Sequence, residues 1–219
     1  MTPRPRRFLF LSFLATTLFA VLALLVEAGS FIVGLDNRIV TALHEFTAGR
    51  PAVRNFFVFV TDLGAGRPLW AVGTAAVLLI ALRQSWFRTL AWTAGLLVSS
   101  QVTSLLKDEF RRVRPPMADI GGFSFPSGHA FGSAATYGLL ALAVLWAFHP
   151  YRWRWVVAVA LWVWIGLVAL SRPMLGVHYP SDVLAGVSLG LGWGFYWAAL
   201  ADWWDLRRLR GSAERVEQT

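Results

Sequence analysis

Apolar positions in this chain fall into long blocks separated by short polar connections. The blocks run from about Phe8 to Val26, Pro68 to Leu82, Phe87 to Leu106, His129 to Phe148, Trp155 to Leu170 and Asp182 to Trp204. A bilayer core roughly 30 Å thick takes about 20 helical residues to cross. The blocks are of that order, the second being the shortest, so six membrane-spanning helices are predicted. The first block follows the basic start "TPRPRR"; its apolar run is too long for the h-region of a signal peptide and reads as a retained helix. The expected fold class is all-α: a polytopic helical bundle forming one domain over residues 1–219, with tails at 1–7 and 205–219.

Between the first two spans lies a longer polar segment. It holds "GLDNRIVTALHEF", where Ile39, Leu43 and Phe46 share a helical face, and then "VRNFFVFVTDLG". Two short interfacial or partly buried helices are expected there. His44 and Glu45 read as surface or packing residues, and His149 as a solvated loop residue. Tyr151, Trp153, Trp155, Trp203 and Trp204 stand at span ends, where aromatic belts form. Gly186, Gly190 and Gly194 recur every fourth residue, which permits close helix approach inside the bundle or across a homodimer, internal packing being the better reading. The tail "GSAERVEQT" reads as a short disordered end.

Composition agrees with the pattern, since 57% of residues are hydrophobic and 15% charged. With no cysteine, disulfides, thiolate catalysis and Cys metal sites are excluded. The net charge is +8, and of 20 basic residues only Lys107 is a lysine. This Arg-rich usage points to a bacterium of high G+C content. Most arginines flank apolar blocks, which fits topology and anionic lipid better than nucleic acid, for which no module is present. If six spans are right, Arg4, Arg6, Arg7, Arg83, Arg88, Arg152, Arg154, Arg207, Arg208 and Arg210 share one face, which the positive-inside rule makes cytoplasmic. Lys107, Arg111, Arg112, Arg114 and Arg172 then lie on the outer face, against that rule. An anionic substrate would account for them.

Three clusters end spans on this outer face. In "KDEFRRVRP", Lys107 closes a helix and Arg114 follows on a loop, held out of helical geometry by Pro115; two such cations can converge on one anion, although a basic juxtamembrane loop is common. In "SFPSGHAF", Ser127 is typed as an N-cap, so the amides of Gly128 and His129 open a helix whose positive end suits phosphate. Alone it is more often an ordinary cap with a satisfied histidine. In "SRPMLGVHYPSD", His178 stands at a helix entrance with Asp182 one turn inside; the carboxylate can hold Nδ1–H and present Nε2 as a nucleophile. Arg172 adds a planar, bidentate phosphate donor. Such a His and Asp pair alone is as often structural. Together the three clusters point to chemistry on a phosphate, because charge at the mouth of a bundle is costly unless used.

The three segments, with "PSGH" at residues 126–129, resemble the signature motifs of the type 2 phosphatidic acid phosphatase (PAP2) family. Lys107 is followed after six residues by Arg114 and Pro115; Ser171 and Arg172 are followed after five by His178, and after three more by Asp182. The resemblance covers about residues 60–200 and implies a metal-independent lipid phosphatase without cofactor. By that resemblance His178 attacks phosphorus and becomes a phosphohistidine, Asp182 orients it, and His129 protonates the leaving oxygen and later helps activate water. Lys107, Arg114, Arg172, Ser127 and the Gly128 amide hold the phosphoryl oxygens. No metal ligands are expected, and Asp108, Glu109 and Asp119 read as loop charges.

The substrate should be an amphiphile with its phosphate at the outer interface of a bacterial cytoplasmic membrane. Undecaprenyl diphosphate, phosphatidylglycerol phosphate, phosphatidate and lysophosphatidate all qualify. A lipid phosphotransferase or lipid A phosphatase would use the same cradle. A non-catalytic lipid transporter would not require His178, His129 and Asp182 together, and six spans argue against the soluble vanadate-dependent oxidases that share the site pattern.

Overall fold

The computed structural model describes residues 4–217, with side chains described for 5–208. Among them the elements are all helices: α1 (Arg4–Glu27), α2 (Phe31–Ala48), α3 (Pro51–Asp62), α4 (Gly66–Arg83), α5 (Trp86–Phe110), α6 (Gly128–Ala147), α7 (Trp153–Met174) and α8 (Pro180–Glu217). Six of them, all but α2 and α3, are long and apolar enough to cross a membrane. The all-α bundle therefore follows the block pattern, with helix ends reaching a turn or so into the flanking polar residues.

Two boundaries differ from expectation. α5 continues past Leu106 because nothing breaks it before Arg111, which takes a left-handed φ of 45°. Asp108 and Glu109 thus belong to its last turn and are not loop charges. α8 runs on through the segment expected to be disordered as far as Glu217, a stretch carrying the strong helix formers Ala213, Glu214 and Arg215. Gln218 and Thr219, and the side chains of Arg4 and Arg210, lie outside the described residues.

α6 is the axis of the bundle, with 67% of its most apolar stretch buried, against 17% for α1 and α4. α8 packs along α6 and is backed by α1, while α4, α5 and α7 complete the wall around α6. The glycine stripe works inside this chain: a Cβ on Gly186 would lie 2.5 Å from the Ser127 carbonyl, and one on Gly190 2.5 Å from that of Phe131. Each glycine costs the helix about 1 kcal/mol relative to alanine, offset here by backbone-to-backbone approach. That approach also aligns two helix N-termini, and the Ser127 N–H donates to the Asp182 carbonyl at 3.0 Å.

α2 and α3 lie on α7. The buried stripe of α2 is Asp36, Val40 and Thr47, so the expected face of Ile39, Leu43 and Phe46 is rotated, leaving Phe46 46% exposed. Hydrogen bonds set this face: Thr47 donates from Oγ1 to the Met174 carbonyl at 2.8 Å, and Asp36 meets Ser181 and Arg112. At the opposite end of the bundle, Arg88 is buried and pairs with Asp202 at 2.6 Å and Asp205 at 2.9 Å. Tyr151, Trp153, Trp155, Trp203 and Trp204 are exposed at that end, as an interfacial belt requires.

Candidate active site

Each candidate side chain is placed by the way its helix starts or stops. α5 stops at Arg111, whose N–H donates to the Lys107 carbonyl at 3.0 Å and turns the chain outward. The Ser124 N–H then donates to the Arg112 carbonyl at 2.8 Å, folding the loop back. Within it, Arg114 Nε donates to the carbonyls of Gly121 and Gly122, both at 3.1 Å. α6 starts at Gly128, with the Ser127 hydroxyl accepting from the Ala130 N–H at 3.5 Å. The first amides of such a helix lack intrahelical acceptors, and a Cβ on Gly128 would meet nothing within 4 Å, so the space in front of them is open.

α7 stops in a Schellman motif. Gly176, at φ 71°, donates to the Pro173 carbonyl at 3.0 Å, and the Val177 N–H donates to that of Arg172 at 3.1 Å. This reversal carries His178 back towards the end of α7. Pro180 opens α8 at the position where its missing N–H costs nothing.

Successive antiparallel spans bring these four ends together. Arg114 Nη1 lies 3.2 Å from His178 Nε2 and donates to the Val177 carbonyl at 2.8 Å. His178 Nδ1 lies 3.4 Å from Asp182 Oδ2, an oxygen that also accepts the Tyr179 N–H at 2.9 Å. His129 is within electrostatic reach of Arg172, His178, Lys107 and Arg114, and Lys107 of Arg114, Arg172 and Asp182. Arg172 donates to Thr61 Oγ1 at 2.6 Å, while its buried Nε has no partner. The Lys107 ammonium makes no hydrogen bond or ion pair among the described residues. The structure therefore gathers Lys107, Arg114, Ser127, Gly128, His129, Arg172, His178 and Asp182 at one end of the bundle.

His178 is 1% exposed and Asp182 fully enclosed. Burial pushes the His178 imidazole down from 6.5 to about 4, against the hydrogen bond and charge of Asp182 and helped by Arg172 and Arg114. Near neutral pH it is uncharged. With Nδ1–H turned to Asp182, its Nε2 lone pair faces the Arg114 guanidinium. Burial also lowers Arg114 from its ordinary value, Asp182 opposing; an arginine stays cationic in proteins regardless. A neutral imidazole among cations at two helix ends suits an oxyanion with several oxygens. Among the described residues, no three His, Cys, Asp or Glu side chains are placed to share a metal ion.

Sequence reasoning missed the layer behind these residues. Arg112 was counted only as a basic residue of its segment, and Asp36, Ser181 and Thr61 carried no signal, since their partners lie 69 to 145 positions away. Beside Gly128, a groove of about 190 Å³ runs between α4, α5 and α6, lined by Leu69, Trp70, Leu96 and Phe131 with Ser99 and Thr103.

Comparison with known proteins bears on the family. Residues 88–206, which contain all three motifs, match the PAP2 superfamily. The chain is 38% identical over 95 residues to phosphatidylglycerophosphatase B of Bacillus subtilis, covering 41% of this chain and 46% of that one. It is 34% identical over 160 residues to decaprenylphosphoryl-5-phosphoribose phosphatase of Mycolicibacterium smegmatis (69% and 81%), and 38% identical over 122 residues to lipid A 1-phosphatase of Rhizobium etli (52% and 49%). The matches thus span about half the length of the first and third of these relatives. The crystal structure of a transmembrane PAP2 type phosphatidylglycerolphosphate phosphatase from Bacillus subtilis superposes with a TM-score of 0.76 at 27% identity, over 90% of this chain and 96% of that one. Family match, relatives and overall architecture converge, and the chain belongs to the PAP2 superfamily.

Proposed function

We propose that this protein is a lipid phosphatase of the bacterial cytoplasmic membrane, with its site on the extracytoplasmic face. Its substrate is an amphiphile bearing a phosphomonoester or a terminal phosphate of a diphosphate. The observation that carries the reading is the pairing of Arg114 with His178 Nε2 at 3.2 Å, in front of Asp182. That arrangement supplies a nucleophile and a phosphate ligand at one point. The basic residues of the opposite end, Arg83, Arg152, Arg154, Arg207 and Arg208, support the orientation. The groove beside Gly128 supports a lipid substrate, since its largely apolar walls reach the start of α6.

The reaction has two steps. His178 Nε2 forms a bond to phosphorus as the P–O bond to the lipid breaks, and His129 gives the departing oxygen a proton. Asp182 holds Nδ1–H and offsets the positive charge that His178 acquires. Lys107, Arg114, Arg172 and the Ser127–Gly128 turn hold the equatorial oxygens, where phosphoryl transfer concentrates charge. Water then attacks phosphorus, His129 takes its proton, and the N–P bond breaks to release phosphate. The relatives named for phosphatidylglycerophosphate, decaprenylphosphoryl-phosphoribose and lipid A 1-phosphate favour a monoester on a lipid headgroup.

Detergent-purified protein should release phosphate from phosphatidylglycerol phosphate in the presence of EDTA, and His178→Ala should not. Phosphatidate and undecaprenyl diphosphate, run alongside, rank the headgroups. Equal release by wild type and His178→Ala, or none from any lipid, would overturn the reading.

A further inference from the structure

Asp36 is 2% exposed, on a helix that precedes the first signature motif by some seventy residues. Its Oδ1 accepts the Ser181 N–H at 2.9 Å, and its Oδ2 accepts both the Ser181 hydroxyl and Arg112 Nη2, the latter at 2.7 Å. From its other side Arg112 donates through Nη1 to Asp182 Oδ1 at 2.5 Å and to Ser181 Oγ at 2.7 Å. The Tyr179 ring covers the guanidinium at 4.2 Å. One arginine therefore lies between two buried carboxylates, one of which faces His178.

The charges explain why two are present. A lone Arg112 against Asp182 would neutralise the carboxylate that faces the imidazole. With Asp36 on its far side, the group of two carboxylates and one guanidinium keeps one net negative charge. His178 becomes positive as its nitrogen attacks phosphorus, and an enclosed site of low dielectric makes an opposing charge count for more than it would in water. We propose that Asp36, acting through Arg112, is a positioning residue that preserves the negative charge of Asp182 towards His178 during phosphoryl transfer. The inference rests on the phosphatase reading above.

Asp36 also does a structural job, because the Ser181 N–H it accepts is an orphan donor in the first turn of α8. The two roles separate in Asp36→Asn. Asparagine keeps an Oδ1 that can accept the Ser181 N–H, so that contact survives while the charge is lost. Adding Arg112→Gln then removes the guanidinium that would neutralise Asp182, keeps a donor beside it, and returns one net negative charge to the group.

Phosphate release from phosphatidylglycerol phosphate should be measured for wild type, His178→Ala, Asp36→Asn and Asp36→Asn/Arg112→Gln, on monodisperse detergent-purified protein. The expected result is a fall in kcat for Asp36→Asn of about ten-fold or more, which corresponds to about 1.4 kcal/mol of barrier. KM should stay within about two-fold, since the lost interaction grows only in the transition state. The double variant should be faster than Asp36→Asn alone. Wild-type kcat in Asp36→Asn, a change confined to KM, or a double variant no faster than the single one would each overturn the proposal while leaving the phosphatase reading standing, provided that His178→Ala is inactive. An active His178→Ala, or an inactive wild type, would remove both.

Discussion

Arg114 donates to the Val177 carbonyl and, through the same Nη1, rests 3.2 Å from Nε2 of His178. The cation best placed for a phosphate oxygen thus lies against the lone pair that would attack phosphorus, and an arriving phosphate must draw it aside while taking its place. Arg114→Lys and Arg114→Ala should both lower kcat/KM by about 10²–10³, the usual scale for losing one preorganised oxyanion donor. Lysine should not rescue, because it lacks the planar fork that reaches Gly121, Gly122 and the substrate together. Phosphate-release kinetics decide this: a lysine variant within about three-fold of wild type would show that only charge matters here.

The depressed value of His178 has consequences for both state and stability. Ring-nitrogen NMR of histidine-labelled protein, assigned with His178→Gln, should show a neutral imidazole protonated at Nδ1 that begins to titrate only towards pH 4. Between about 6.5 and about 4 the unfolded chain binds a proton at this residue that the folded chain does not. Stability should therefore fall as pH drops through that window and level off below it. In Arg114→Gln one depressing charge is gone, so the titration should move upward. Titration of wild-type His178 near 6.5 would contradict both the burial argument and the stability trend.

These two residues also show what could be read from the chain. The helix ends that hold the site were legible because Ser127, Gly128, Pro115 and Pro180 have strong conformational preferences, and the block lengths fixed which ends share a side. The layer behind them was not. Asp36 reaches Ser181 across 145 positions, and no local pattern marks a carboxylate whose partners come from other helices. The face of α2 was misjudged for the same reason: hydrophobicity favoured Phe46, while hydrogen bonds of Asp36 and Thr47 chose a neighbouring stripe. The ends of α5 and α8 outran their apolar blocks because helix propensity and backbone caps, not hydropathy, decide where a helix stops.

Gly176 makes a test of how tightly the α7 terminus positions His178. It lies at φ 71°, and a Cβ there would fall 2.5 Å from Met117 Cγ and 2.7 Å from His44 Nδ1. Gly176→Ala should cost about 1–2 kcal/mol from the left-handed backbone alone, with the overlap added. The thermal midpoint in detergent should fall, and kcat more than KM, since His178 is only two residues further on. Gly34→Ala, where a Cβ would meet nothing within 4 Å, should leave the midpoint unchanged or raise it. An active, stable Gly176→Ala would mean that the turn does not set the histidine.

The groove beside Gly128 yields a prediction about chain length. Gly132 faces it from α6, and a Cβ there would approach Leu69 Cδ2 to 3.0 Å, so a larger side chain would fill the groove between α4 and α6 rather than disturb the far end of the bundle. If lipid chains lie there, Gly132→Leu should displace several buried methylenes of a bound substrate, each worth about 0.8 kcal/mol. KM for a long-chain lipid phosphate should then rise by about ten-fold or more, since about 1.4 kcal/mol corresponds to each factor of ten. A water-soluble aryl phosphate, which has no chain to place, should be hydrolysed at nearly the wild-type rate because the cation cluster and His178 are untouched. Equal loss on both substrates would instead mean that the substitution distorts the start of α6. No loss on either would place the lipid chain along another face of the bundle.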